Sequence, residues 1–112
     1  MKIIDMQAFL EVELRVGRVL RAEHFAAAHK PALLLDIDFG PEIGVLTSSA
    51  RITDHYAPES LPGQLVVAVV NMPPRQIGPR LSRCLVTGFH DAEGKVRLCR
   101  PDAEVPLGTR LL

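Results

Sequence analysis

The stretch from Leu33 to Phe39 constrains the fold more than any other part of this chain. Leu33, Leu35, Ile37 and Phe39 alternate with Leu34, Asp36 and Asp38, and Gly40-Pro41 closes the run. A period of two sends successive side chains to opposite faces of a strand, here one apolar face and one largely polar. Similar runs surround it. Leu14 to Phe25 reads as a long strand with Leu14 and Val16 on one face, and Gly17 within it predicts a bulge that lets the strand curl. Ile43 to Ala50 gives a third strand, Leu65 to Val70 an all-apolar fourth, and Arg83 to His90 with Val96 to Arg100 a final hairpin across Asp91-Ala-Glu-Gly94. Asp5 to Val12 reads as a short helix capped by Asp5, and Arg51 to Tyr56 as a helical turn halted by Pro58. The tail from Pro101 reads as irregular.

A long bent first strand and a helical turn between strands three and four favour an all-β fold. The expected architecture is a five-stranded barrel of the OB type, with a short N-terminal helix, rather than a sandwich. At 112 residues and 47% hydrophobic content the chain is read as one domain spanning 1–112. A domain of that size is only modestly self-sufficient and gains from oligomerising.

Thirteen basic and thirteen acidic residues cancel, which argues against a general polyanion grip. The balance is uneven along the chain. Residues 1–50 carry five Lys/Arg against seven Asp/Glu, and residues 51–100 carry seven against four. Ten of the thirteen cations are arginine, the better fork for phosphate. Three of them, Arg75, Arg80 and Arg83, lie with no acid among them on the proline-stiffened connection that leaves the Leu65 strand through Asn71-Met-Pro-Pro. Arginines there can take phosphate in bidentate fashion, while Asn71 and Ser82 can hydrogen-bond sugar, phosphate or base edges. With four Phe and one Tyr, stacking partners are scarce, which favours recognition of RNA shape through its backbone.

Other chemistry has little support. His24, His29, His55 and His90 lack metal-ligand spacing, so no metal or cofactor is expected, and they read as surface or loop-end side chains. Cys84 and Cys99 fit a reducing compartment, and sequence leaves a disulfide between them open. The hydroxyls of Thr47-Ser-Ser have no nucleophile elbow and no identifiable His or Asp partner, so no enzyme is expected. The N-terminus has acids at Asp5 and Glu11 and no signal-peptide core, and no apolar run spans a bilayer. A cytoplasmic protein without membrane insertion is expected.

Six ordered motifs carry a resemblance. They are Leu14-Arg-Val-Gly17, Asp38-Phe-Gly-Pro-Glu-Ile-Gly44, Ser48-Ser-Ala-Arg-Ile-Thr53, Tyr56-Ala-Pro-Glu59, Val69-Val-Asn-Met-Pro-Pro-Arg75 and Ser82-Arg-Cys-Leu-Val-Thr-Gly88. In that order and spacing, over about residues 8–112, the chain resembles the CsaA-type tRNA-binding domain family. The resemblance implies an OB-fold homodimer that binds tRNA, or alternatively a chaperone for unfolded or exported polypeptides working with the export machinery. It implies an RNA-facing surface of Ser48, Ser49, Asn71, Arg75 and Ser82, with Arg51 assisting. The chain departs from the family pattern at Arg80, where an apolar residue such as Phe is common, and at Arg83, where Glu is often found. Both changes add positive charge beside Ser82. The resemblance also implies that residues 1–12 and 101–112 contact a second subunit. Apolar Phe9, Leu10, Val12, Leu111 and Leu112, which one small barrel could hardly hide, agree with that interface.

Overall fold

A computed structural model describes all residues from Met1 to Leu112. Helix α1 spans Met6–Leu10, with the Asp5 carboxylate accepting a hydrogen bond from the Ala8 amide at 2.9 Å. The strands are β1 (Leu14–His24), β2 (Leu33–Asp38), β3 (Val45–Ala50), β4 (Leu65–Val69), β5 (Arg75–Ile77), β6 (Arg80–Ser82), β7 (Leu85–Val86), β8 (Gly88–His90) and β9 (Val96–Leu98). Five of them form an antiparallel sheet in the order β3-β2-β1-β4-β7. Its edges meet where the Arg83 amide donates to the Thr47 carbonyl at 2.7 Å and the Ser49 amide to Ser82 Oγ at 3.0 Å. The result is the nearly closed five-stranded barrel expected, with the short helix outside it.

β1 serves two neighbours. Its first half, Leu14 to Arg18, pairs with β4, and its second half, Arg18 to His24, with β2. The other edge of the first half is taken by the C-terminal tail, because Val16 and Thr109, Gly108 and Val16, and Leu111 and Leu14 exchange backbone hydrogen bonds of 2.8–3.0 Å. The tail is therefore less irregular than the sequence implies.

The bulge that lets β1 bend lies at Leu20, where the register with β2 shifts between Val19 and Arg21, not at Gly17. Gly17 pairs regularly with Val66. It is needed for a different reason: a Cβ there would sit 2.5 Å from Ile37 Cγ2 and 2.7 Å from the Phe39 ring. The strand crosses the core at that contact. Leu33, Leu35, Ile37 and Phe39 are all buried there beside Val19, Val66, Ala68 and Leu61. Leu34, on the other face of β2, is also buried, in a small cluster with Phe25 and Ala32.

Two further boundaries differ from expectation. Arg51 to Tyr56 is a non-helical turn, and a short 3-10 turn forms instead at Pro58–Ser60, where Pro58 presets the backbone. The connection from Asn71 to Ser82 is not merely a loop, since it folds into the β5–β6 hairpin around Gly78, whose φ is +55°. Both cysteines are free. Cys84 is buried, and burial pushes its thiol up to about 12, so it is inert at neutral pH.

Replacing Gly17 by alanine should cost about 1–3 kcal/mol, the usual penalty for overpacking a core, read as a lower midpoint in chemical denaturation. Unchanged stability would mean that β1 and β2 do not approach as described.

Candidate nucleic-acid interface

The β5–β6 hairpin packs against β3 and the β1–β2 loop. Its register pairs Arg75 with Ser82 and Ile77 with Arg80, which puts those four residues on one face. Ile77 packs into the Phe25, Ala32 and Leu34 cluster, so the arm is anchored by an apolar side chain. At its tip Gly78 packs closely on Ala27 of the β1–β2 loop, where an added Cβ would lie 3.3 Å from Ala27 Cβ.

Between the hairpin, the β1–β2 loop, the end of β3 and the β8–β9 hairpin runs a groove of about 740 Å³. Its floor holds Ala32, Ile52, Ile77 and Val86, and its rim holds Lys30, Arg51, Arg75, His29 and His90. No Asp or Glu lines it. The ion pairs of the molecule fall elsewhere. Arg15 and Arg110 share Glu13 at 2.6 and 2.5 Å, Arg18 meets Glu104 at 2.8 Å, Arg21 lies 3.7 Å from Asp36, and Lys95 and Arg97 meet Glu93 and Asp91. These arginines hold the carboxyls of Glu13 and Glu104 below the usual range. Lys30, Arg51, Arg75, Arg80 and Arg83 have no acidic partner and are all exposed. A neutral chain thus carries a one-signed face.

The residues expected at this surface are not all in one place. Ser49, Arg51 and Arg75 line the groove. Arg80, Ser82 and Arg83 follow on the hairpin and its exit, beside rather than within it. Ser82 also staples the hairpin to β3 through the Ser49 amide. Ser48 is only 1% exposed and its hydroxyl donates to the Cys84 carbonyl at 3.0 Å, so it supports the wall from behind.

Asn71 is committed elsewhere too. Its Oδ1 accepts from the Glu13 amide at 3.0 Å and its Nδ2 donates to the Glu11 carbonyl at 2.8 Å, which locks the link between α1 and β1.

Lys30, His29, Gln76 and His90 line the groove without having been singled out from sequence. The one signal for the first two was their place in the loop joining β1 to β2.

The far wall depends on Asp91. Its Oδ1 accepts from the amides of Glu93 and Lys95 at 3.0 Å, and its Oδ2 lies 3.0 Å from His55 Nε2 and 3.4 Å from Arg97 Nε. The Lys95 amide and then His55 hold this carboxyl at about 2. His55 is therefore a paired, half-buried residue rather than a loose surface one.

The profile of the family described as "Putative tRNA binding domain" matches residues 14–110. The chain belongs to this tRNA-binding domain family. Chaperone CsaA from Bacillus anthracis is 44% identical, with a TM-score of 0.91 over 99% of this chain and 100% of that one. A MetRS-related protein from Pyrococcus horikoshii is 30% identical, with a TM-score of 0.87 over the whole of both chains. A methionine–tRNA ligase of Porphyromonas gingivalis is 37% identical over 108 residues, 96% of this chain and 15% of the ligase. The chain thus spans about a seventh of such ligases and shares with them a non-catalytic tRNA-binding domain.

Two outcomes follow from the geometry. Asn71→Ala should lower stability by about 1–2 kcal/mol, as loss of two backbone-capping hydrogen bonds would, and speed proteolysis between α1 and β1; unchanged cleavage would remove its latch role. The Asp91 carboxyl is lowered from an ordinary value near 3.8, so its contribution is complete above about pH 4 and is lost as pH falls towards 2. Asp91→Asn should therefore lower the neutral-pH melting temperature and flatten its fall between pH 4 and 2. An unaltered acid profile would contradict that assignment.

Proposed function

We propose that this domain acts in the cytoplasm as a homodimeric tRNA-binding module, and that the acid-free face of Lys30, Arg51, Arg75, Arg80 and Arg83 takes the RNA backbone. The observation that carries this reading is a cluster of unpaired cations: of the seven Lys and Arg side chains without an acidic partner, five lie in or beside one groove that no Asp or Glu lines, and only Lys2 and Arg100 lie away from it. Phosphate oxygens supply the missing partners. Ser49 and Ser82 sit where they can add polar contacts, while Ser48 and Asn71 act by holding β3 and the α1 linker in place.

The dimer is supported by apolar exposure at the other end of β1. α1 buries no residue, and Leu10, Val12 and Leu111 are 45%, 40% and 45% exposed. The Arg110 guanidinium donates to the Leu10 carbonyl and so draws the tail against the helix. Phe9, Leu10, Val12, Leu111 and Leu112 then offer one surface for a second copy, which would present two RNA sites. The same surface, with the similarity to the chaperones CsaA of Bacillus anthracis and Picrophilus torridus, favours a second reading, the holding of unfolded or exported polypeptides in partnership with the export machinery.

Arg75→Ala should weaken tRNA binding by about 1–3 kcal/mol, measured by titration against labelled tRNA, while Arg21→Ala at an exposed site outside the groove leaves it unchanged. Equal binding by both variants would overturn the assigned face. Light scattering should give a dimer mass for the wild type and a monomer for Phe9→Ser with Leu10→Ser. If that variant stays dimeric, the seam lies elsewhere. If it also keeps full suppression of client aggregation, polypeptides are not held there.

A further inference from the structure

The groove is built for something other than a double helix. Its volume of about 740 Å³ is that of a small-ligand site, and its floor of Ala32, Ile52, Ile77 and Val86 is apolar. A duplex offers phosphates and the edges of stacked bases, so it can meet the cationic rim but leaves that floor wet. A nucleotide outside the stack offers a flat apolar face as well as a phosphate. Among the parts of an RNA, such a nucleotide satisfies both layers at once.

Unspent hydrogen-bonding groups point the same way. Ser49 Oγ has no partner within the chain, although its backbone amide is held by Ser82. Gln76, which pairs with Leu81 and so stands on the opposite face of the hairpin from Arg75 and Ile77, spends its Nε2 on the Gly78 carbonyl at 2.6 Å and takes no part in this set. The exposed rings of His29 and His90 complete a set of donors and acceptors that can meet a base edge. No Phe or Tyr lines the groove, and Phe25 and Phe39 are buried, so the only rings it offers a base are those of His29 and His90. Tyr56 spends its hydroxyl on the Leu98 amide at 2.9 Å.

We propose that this groove receives one or two unpaired nucleotides of a structured RNA, with the base on the Ile52 and Ile77 floor, its edge read by Ser49 and His90, and the flanking phosphates on Lys30, Arg51 and Arg75. This rests on the RNA-binding reading above and adds the class of RNA segment taken. Without a Phe, Tyr or Trp platform the bound base gains less than the roughly 1–3 kcal/mol per base that such stacking supplies, so the site positions a loop or end of an RNA already held by its backbone.

The test is competition against labelled tRNA on the full-length protein, using a short single-stranded RNA and a blunt-ended RNA duplex of equal phosphate count. The single strand should compete at least tenfold better than the duplex. Ser49→Ala should reduce that advantage without altering the fold, and Ala27→Leu, which crowds the contact between the β1–β2 loop and the hairpin tip without touching charge, should remove it. If the duplex competes as well as the single strand and Ala27→Leu binds normally, the groove does not take unpaired nucleotides, while the backbone-binding reading survives. If an unstructured peptide displaces tRNA and the single strand does not, the groove is a polypeptide site and the proposal fails. Absence of any tRNA binding at low salt removes the RNA reading and this inference together.

Discussion

The structure depends on β1 crossing the core at Gly17. A barrel with so few strands has to use one of them twice, and β1 pairs with β4 through its first half and with β2 through its second. That is possible because its backbone at Gly17 passes within contact of Ile37 and Phe39, where any side chain would collide. The shift at Leu20 then turns the strand towards β2. The two ends of β1 thereby acquire different roles. One receives α1 and the C-terminal tail, and the other leads into the loop that borders the groove.

Electrostatics follows from this division. With no net charge, the chain cannot attract a polyanion from a distance as a basic protein does, so any affinity must come from placement. Glu13 and Glu104 hold Arg15, Arg110 and Arg18 away from the groove, and Asp91, in the hairpin that forms its far wall, is neutralised by Arg97. Each such pair at the surface adds little stability on its own. Their larger effect is to leave Lys30, Arg51, Arg75, Arg80 and Arg83 unopposed on one side of the molecule.

Much of the barrel was legible in the sequence because its strands announce themselves by period or by unbroken apolar runs. Leu33 to Phe39 and Leu65 to Val69 read correctly for that reason. Gly17 was read as the bulge because a glycine within a strand permits either a bulge or a close approach, and only the partner across the core decides between them. The β5–β6 hairpin was missed because its strands are three residues each and mostly exposed, so no hydrophobic period marks them. The same limit applies to the site. Arg75, Arg80 and Arg83 stand out as an acid-free cluster in one dimension, whereas Lys30 and His90 join it only through folding. Asn71 and Ser48 had the right chemistry for an RNA surface, but their hydrogen bonds are spent inside the protein.

The most direct test of the account is the salt dependence of tRNA binding by the wild-type protein. If about three to five phosphates are neutralised at each groove, the slope of log K against log salt should lie between about −2.7 and −4.5, at roughly 0.9 per phosphate. A slope shallower than about −1, with binding intact, would mean that the acid-free cluster is not what holds the RNA.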